Sequence, residues 1–174
     1  MKDVWTTPIG QVAVSAARVE DLDTILNILN ETSAWLESVG VNQLPTPFPE
    51  DFNRHVIDEI SRGRVFLARV KQDDSPVGVM QIDWTDMLYW PKDPTGAGYI
   101  QNFAISRNFQ ANSIARAMIE WAKEFVREQG RCFIRLHCLA SNLPLRQYYE
   151  RLGFIFRGEV FDRSYTAALY EIAL

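Results

Sequence analysis

The chain has 174 residues, 47% hydrophobic and 23% charged, a length and balance that suit one domain with a sizeable core and exclude extensive disorder. With 18 Lys and Arg against 22 Asp and Glu, the net charge of −4 argues against a surface that tracks nucleic-acid phosphates. No apolar run approaches the ~20 residues of a membrane span, and Met1–Gly10 lacks the apolar centre of a secretory signal, so a cytoplasmic, membrane-free protein is expected.

In chain order, Val12–Ser15 reads as a short strand. Leu22, Ile25, Leu26, Leu29 and Trp35 recur at helical spacing over Glu20–Leu36, and Gly40 stops that helix. Pro45, Pro47 and Pro49 make Gln43–Pro49 an ordered loop. A second helix follows over Glu50–Arg62, with Phe52, Val56, Ile57 and Ile60 on one stripe. Val65–Val70 and Val77–Trp84 are strand-like and flank the turn Asp73-Asp74-Ser75, which predicts a hairpin. Asp86–Gly98 is a loop rich in Pro, Gly and aromatic residues, and Tyr99–Ile105 is the next strand. Ile114, Ala117, Met118, Trp121, Ala122, Phe125 and Val126 form one clean helical stripe that ends at Gly130. Phe133–Leu139 is a strand. Leu145, Tyr148, Tyr149 and Leu152 mark a short helix opened near Asn142 and closed by Gly153. Phe154–Val160 and Tyr165–Ile172 are the last strands. The order predicts one mixed α/β domain of the α+β type over residues 1–174, with about seven strands and about four helices. Cys132 and Cys138 share one strand and point poorly for a disulfide, so free thiols are expected.

Two segments combine residue types that suit chemistry. Between Ile105 and Ala117 a strand gives way to a short connection with small residues at Ala111, Ser113 and Ala115, and then to a helix. Such a turn exposes backbone N–H groups at the positive end of the helix dipole, a geometry that suits a phosphate. Arg107 and Arg116 supply nearby charge, while Asn112 or Ser113 also suits a plain N-cap. In Asn142–Phe154, Asn142 and Pro144 are helix-start residues, and Tyr148 and Tyr149 face adjacent directions of one helix. A phenol there can donate a proton to a leaving group or pack with Leu145 and Leu152.

Together these segments resemble the N-acetyltransferases of the GNAT superfamily. Gln110, Ser113 and Ala115 align with that family's Q/R-x-x-G-x-G/A loop, with serine where the middle glycine stands. Asn142, Leu145, Tyr149, Glu150, Gly153 and Phe154 align with its later N-x-x-A-x-x-x-Y-E-x-x-G-F signature. The strand Tyr-Ile-Gln-Asn-Phe-Ala-Ile at 99–105 is similar to the one that borders acyl-CoA, and the element order matches across nearly the whole chain. The resemblance implies a GNAT-like sheet with splayed central strands and acetyl-CoA as co-substrate. It implies that the backbone of Phe103, Ala104 and Ile105 bonds the pantetheine arm. It places Gln110, Ala111, Asn112, Ser113, Ile114, Ala115 and Arg116 around the pyrophosphate and Asn142 against the cofactor arm. Tyr149 would protonate the departing sulfur while a neutral amine attacks in a ternary complex.

Alkylammonium groups ionise near pH ~10, so a base must assist. Several family members place a glutamate on the strand occupied here by Gln101 and Asn102, neither of which is basic. Asp83, Asp86 and His137 are the alternatives, each also compatible with a solvated loop or a satisfied strand position. His55, Cys132, His137 and Cys138 lack a zinc spacing, so no metal is expected. Trp35, Trp84, Trp90 and Asp86 are expected to bind the acceptor, because aromatic rings and carboxylates suit an amine cation. A small-molecule amine and a possible homodimer are the expected partners. A non-catalytic acyl-CoA-binding module or an interaction protein on the same fold is the alternative, favoured by the missing strand base and the altered loop.

Overall fold

The computed structural model describes residues 4–45, 47–91, 96–110, 113–162 and 165–174. Eight strands form one mixed sheet in the order β1-β2-β3-β4-β5-β6-β8-β7. They are β1 (Val4–Thr7), β2 (Gly10–Ala16), β3 (Val65–Val70), β4 (Pro76–Asp83), β5 (Ala97–Ile105), β6 (Phe133–Leu139), β7 (Ile155–Asp162) and β8 (Tyr165–Ala173). Among the described residues the α-helices are α1 (Leu22–Ser38), α2 (Glu50–Ser61), α3 (Ile114–Glu128) and α4 (Leu143–Arg151). The architecture is that expected, with eight strands in place of seven. The added strand, β1, is four residues long and pairs antiparallel with β2 from Val4↔Ala13 to Thr7↔Gly10. Four residues before a proline carry almost no periodic signal, so tertiary pairing decides their state.

The chain forms two compact units. The first comprises Met1–Gln81 and Asn102–Trp121. In it, β2 pairs antiparallel with β3, and β3 with β4, across the predicted 73–75 turn. Asp73 Oδ1 accepts from Ser75 N–H at 3.1 Å there, and Asp74 adopts φ +59°. The core joins Ile25, Ile28 and Leu29 of α1, Val56 and Ile60 of α2, and Val65, Leu67, Val79 and Ala104 of the strands. Leu22, Leu26, Phe48 and Phe52 pack against it. Burying each large aliphatic chain stabilises the fold by about 1.5–3 kcal/mol, which is why the helical stripes read from sequence face this way.

The second unit comprises Ile82–Gln101 and Ala122–Leu174. Here β6 pairs antiparallel with β8 over seven residues, from Phe133↔Ala173 to Leu139↔Ala167, and β8 pairs with β7. β5 and β6 are parallel, but their pairing covers only Ala97↔Phe133, Gly98↔Ile134 and Tyr99↔Arg135. It stops there although β5 runs on to Ile105 and β6 to Leu139. Buried Arg135 donates to Glu171 at 2.8 Å and to the Tyr99 hydroxyl at 3.1 Å, and Arg157 donates to the other Glu171 oxygen at 3.0 Å. Buried charges need such pairing, and this network ties β5, β6, β7 and β8 together.

Candidate active site

In the first unit, β5 leads through a short 3-10 turn, Arg107–Phe109, toward α3. Two left-handed residues shape this segment. Asn102, within the strand, adopts φ +46° and its side-chain N–H donates to Gln81 Oε1 at 2.9 Å. A left-handed residue interrupts strand alternation, and asparagine tolerates the conformation better than most residues. Phe103, Ala104 and Ile105 follow this kink and lie beyond the last β5–β6 pair. Ser113 adopts φ +60° immediately before α3, and its carbonyl accepts from Ala117 N–H at 3.0 Å. A left-handed residue followed by a right-handed helix turns successive N–H groups the same way, a concavity that holds anions. Ile114 is buried in the core, Ala115 is half-buried, and Gln110, Ser113 and Arg116 are exposed. Ala111 and Asn112 lie outside the described residues.

Arg107 stacks its guanidinium 4.0 Å above the Trp35 ring, and its Nη1 is buried without a hydrogen-bond partner among the described residues. Further along α1, Asp23, Asn27 and Asn30 line an open cleft of ≈530 Å³ with Leu26, Pro47, Phe48 and Asn53. The spacing 23, 27, 30 is a polar stripe on one helix face, a signal present in the sequence but passed over there.

In the second unit, Asn142 caps α4, its Oδ1 accepting from Leu145 N–H at 3.2 Å. That cap fixes the start of the helix that carries Tyr149 one face inward. Tyr149 is buried beside Phe154, Tyr170 and Tyr148, with ring centroids at 5.7, 6.0 and 6.2 Å. Burial pushes its pKa up, and the neighbouring Cys138, Tyr148 and Tyr165 push the same way, so the phenol keeps its proton. Cys138 is fully buried and its thiol is pushed up to about 12, chiefly by burial. A thiol so protonated is a poor nucleophile. Cys132 and Cys138 are both free.

His137 points to the opposite face of β6 from Cys138, as strand alternation requires. Its ring lies against Tyr89, tilted by 37° with centroids 4.0 Å apart, and meets Tyr165 edge-on at 6.4 Å. Its Nδ1 stands 3.6 Å from Asp86 Oδ2. Asp86 is itself buried, and its Oδ1 accepts from Tyr89 N–H at 3.2 Å. Burial raises the Tyr89 pKa, aided by the charges of Asp162 and Asp86, and burial likewise raises that of Tyr165. The structure thus brings His137 and Asp86 together. Tyr165 completes the group from 76 positions away from Tyr89, with no sequence signal to announce it. Asp83 ends β4, buried and engaged with neighbours.

The tryptophans expected to hold an amine cation each face an arginine of the chain. Arg131 lies 5.5 Å from the Trp84 ring and Arg135 lies 4.5 Å from the Trp90 ring, as Arg107 does over Trp35. Among the described residues no cluster of three His, Cys, Asp or Glu is placed to hold a metal ion, and no helix is long and apolar enough to cross a membrane.

Comparison with known proteins adds a family. The model of the acetyltransferase (GNAT) family matches residues 23–154. An uncharacterized N-acetyltransferase, YesJ, from Bacillus subtilis (strain 168) is 25% identical over 159 residues, 85% of this chain and 87% of its own length. The crystal structure of a GNAT-family acetyltransferase from Listeria monocytogenes 4b F2365 superposes with a TM-score of 0.78 at 27% identity, covering 98% of this chain and 99% of that one. RimL, a ribosomal L7/L12 alpha-N-protein acetyltransferase solved in complex with coenzyme A, superposes with a TM-score of 0.70 at 17% identity over 94% of each chain.

Proposed function

The chain belongs to the acetyltransferase (GNAT) family, an N-acetyltransferase with acetyl-CoA as co-substrate, and we propose that it acetylates a primary amine of a small molecule by direct transfer in a ternary complex. Residues 1–174 are proposed as one catalytic domain, working in the cytoplasm. The observation that carries this reading is Tyr149: buried and protonated, on a helix capped by Asn142.

Bound acetyl-CoA supplies an activated acetyl group. The residues present fit it. Phe103, Ala104 and Ile105 offer backbone groups beyond the end of the β5–β6 ladder. The left-handed Ser113 ahead of α3 presents N–H groups to the pyrophosphate, with Gln110, Ala111, Asn112, Ile114, Ala115 and Arg116 as the remainder of that cradle. The Asn142 oxygen caps α4, and the residue is proposed to face the cofactor arm. Tyr149 gives its proton to the departing sulfur, and His137 takes one from the acceptor nitrogen. Asp83 is the other candidate for that base, but it is buried and already engaged. The high pKa of Cys138 favours direct attack by the amine over an acetyl-cysteine route.

Trp35, Trp84 and Trp90 are each proposed to meet the acceptor by a ring edge, since a guanidinium occupies one face of each. A protein N-terminus is the second reading of the acceptor, favoured by the exposed Met87 and Leu88 next to Asp86. The exposed Ile155, Phe156 and Phe161 of the edge strand β7 support a homodimer.

The test is calorimetric titration with acetyl-CoA and CoA, followed by thiol release in the presence of small amines and of short peptides. Micromolar binding, about −8 kcal/mol, with amine-dependent thiol release is expected. Binding without release from any acceptor would favour a non-catalytic acyl-CoA module, and no binding up to millimolar concentrations an interaction protein.

A further inference from the structure

The loop between β4 and β5 carries a carboxylate that faces an imidazole. Asp86 is buried, and one of its oxygens accepts the Tyr89 amide at 3.2 Å. Its backbone carbonyl accepts from Trp90 N–H at 2.8 Å, so the residue opens a tight turn over positions 86–90. The other oxygen faces His137 Nδ1 at 3.6 Å. That nitrogen is buried and has no hydrogen-bond partner among the described residues. A buried N–H or lone pair without a partner is costly, and a shift of a few tenths of an ångström closes the bond to Asp86. The imidazole is held between rings, tilted against Tyr89 at 4.0 Å and met edge-on by Tyr165. The side chain retains 21% exposure, against 7% for that of Asp86, so His137 is the open end of the pair and Asp86 the closed end.

We propose that Asp86 is a positioning residue for the acceptor base: it holds the proton of His137 on Nδ1 and so leaves the Nε2 lone pair to receive a proton from the acceptor amine. This rests on the reading of His137 as that base. It also reassigns Asp86, expected from sequence to bind the amine cation directly. The histidine nitrogen that carries the proton is set by the partner of the other nitrogen. The balance is simple. The amine proton passes to Nε2 and then to water, the acetyl C–N bond forms as the C–S bond breaks, and the sulfur leaves with the proton of Tyr149, which solvent replaces. The groups facing the His137 ring are Asp86 and Tyr89 from the loop and Tyr165 from β8, with Asp162 of β7 acting on Tyr89.

The test reads the tautomer and the kinetics of the full-length protein. In ¹⁵N-histidine-labelled wild type, His137 should show a protonated Nδ1 and an unprotonated Nε2 at pH 8. Asp86→Ala should move the proton toward Nε2, whereas Asp86→Asn, which keeps an oxygen acceptor, should retain it on Nδ1. With the acceptor that gives most thiol release among the small amines tried, Asp86→Ala should lower kcat on the order of tenfold to a hundredfold with little change in KM, a part of what a general base contributes. Asp86→Asn should recover most of that loss. An unchanged tautomer in Asp86→Ala overturns the proposal. So does a rise in acceptor KM at constant kcat, which would make Asp86 the amine's own contact. The tautomer measurement needs no acceptor, so it stands even if no acceptor releases thiol, the outcome that would instead sink the catalytic reading.

Discussion

A serine at φ +60° carries a steric cost of roughly 1–2 kcal/mol that glycine does not. Ser113 is exposed and stands at the mouth of α3, where the family pattern has glycine. Ser113→Gly should therefore stabilise the free protein, by about 0.5–1 kcal/mol once the greater freedom of unfolded glycine is subtracted. Urea unfolding measures it, and a lower midpoint for the glycine variant would show that the serine is unstrained. Tyr149 is a different case, because burial raises its pKa and keeps its proton in place. Tyr149→Phe should keep its unfolding midpoint and its affinity for acetyl-CoA while losing about 10²–10⁴ in kcat. Equal loss of affinity and rate would assign the hydroxyl to binding. The two residues share a lesson. Sequence marked both positions by type and spacing, but the left-handed backbone of one and the burial of the other are set by the fold around them.

At the scale of elements, two strand glycines show how tightly the helices sit. A Cβ on Gly98 of β5 would stand 2.5 and 3.0 Å from the two methyls of Val126, on α3. A Cβ on Gly78 of β4 would meet the Met118 sulfur at 2.8 Å and the end of Ile105 at 2.9 Å. Valine in a helix is held to one rotamer, whereas methionine is unbranched and yields. Gly98→Ala should cost about 1–3 kcal/mol by overpacking, and Gly78→Ala less. Thermal unfolding ranks them, and the reverse order would mean that α3 shifts more readily than Met118 does. The elements themselves were mostly legible. The stripes of α1, α2 and α3 and the 73–75 hairpin follow from periods of 3.6 and 2 that burial enforces. β1 was not legible, because Val4–Thr7 becomes a strand only by pairing with β2. Nor was the kink at Asn102, since a side chain bonding Gln81 across 21 positions leaves no local trace. The candidate residues Tyr149, Asn142 and His137 were each marked in the sequence by type and spacing. The approach of Asp86 to His137 was not, because a loop and a strand 51 positions apart meet only in the folded chain.

At the scale of the whole molecule, the second unit buries several groups that ionise only in alkali. Cys138 is pushed up to about 12, and burial raises Tyr149 and Tyr165 strongly and Tyr89 and Tyr170 in the same direction. In the unfolded chain a thiol ionises near ~8.5 and a phenol near ~10. Above those values the unfolded chain has released protons that the native state still holds, so rising pH favours unfolding. Their contribution is therefore complete below about pH 8.5 and lost progressively as pH climbs toward the native values. The urea midpoint should be flat to about pH 8.5 and fall steadily from pH 9 to 11. Cys138→Ala removes the earliest of these groups, so its decline should start about one unit later even though the smaller side chain lowers the whole curve. A midpoint that holds level through pH 11 would mean that these groups reach solvent in the native state. The same burial predicts the opposite trend in the chemistry. An ordinary phenol is half ionised near pH ~10, but Tyr149 keeps its proton there. Over the range in which stability is being lost, kcat of the remaining folded enzyme should show no fall from deprotonation of its acid. A descending limb near pH 10 that Tyr149→Phe abolishes would show that the phenol ionises as it does in water.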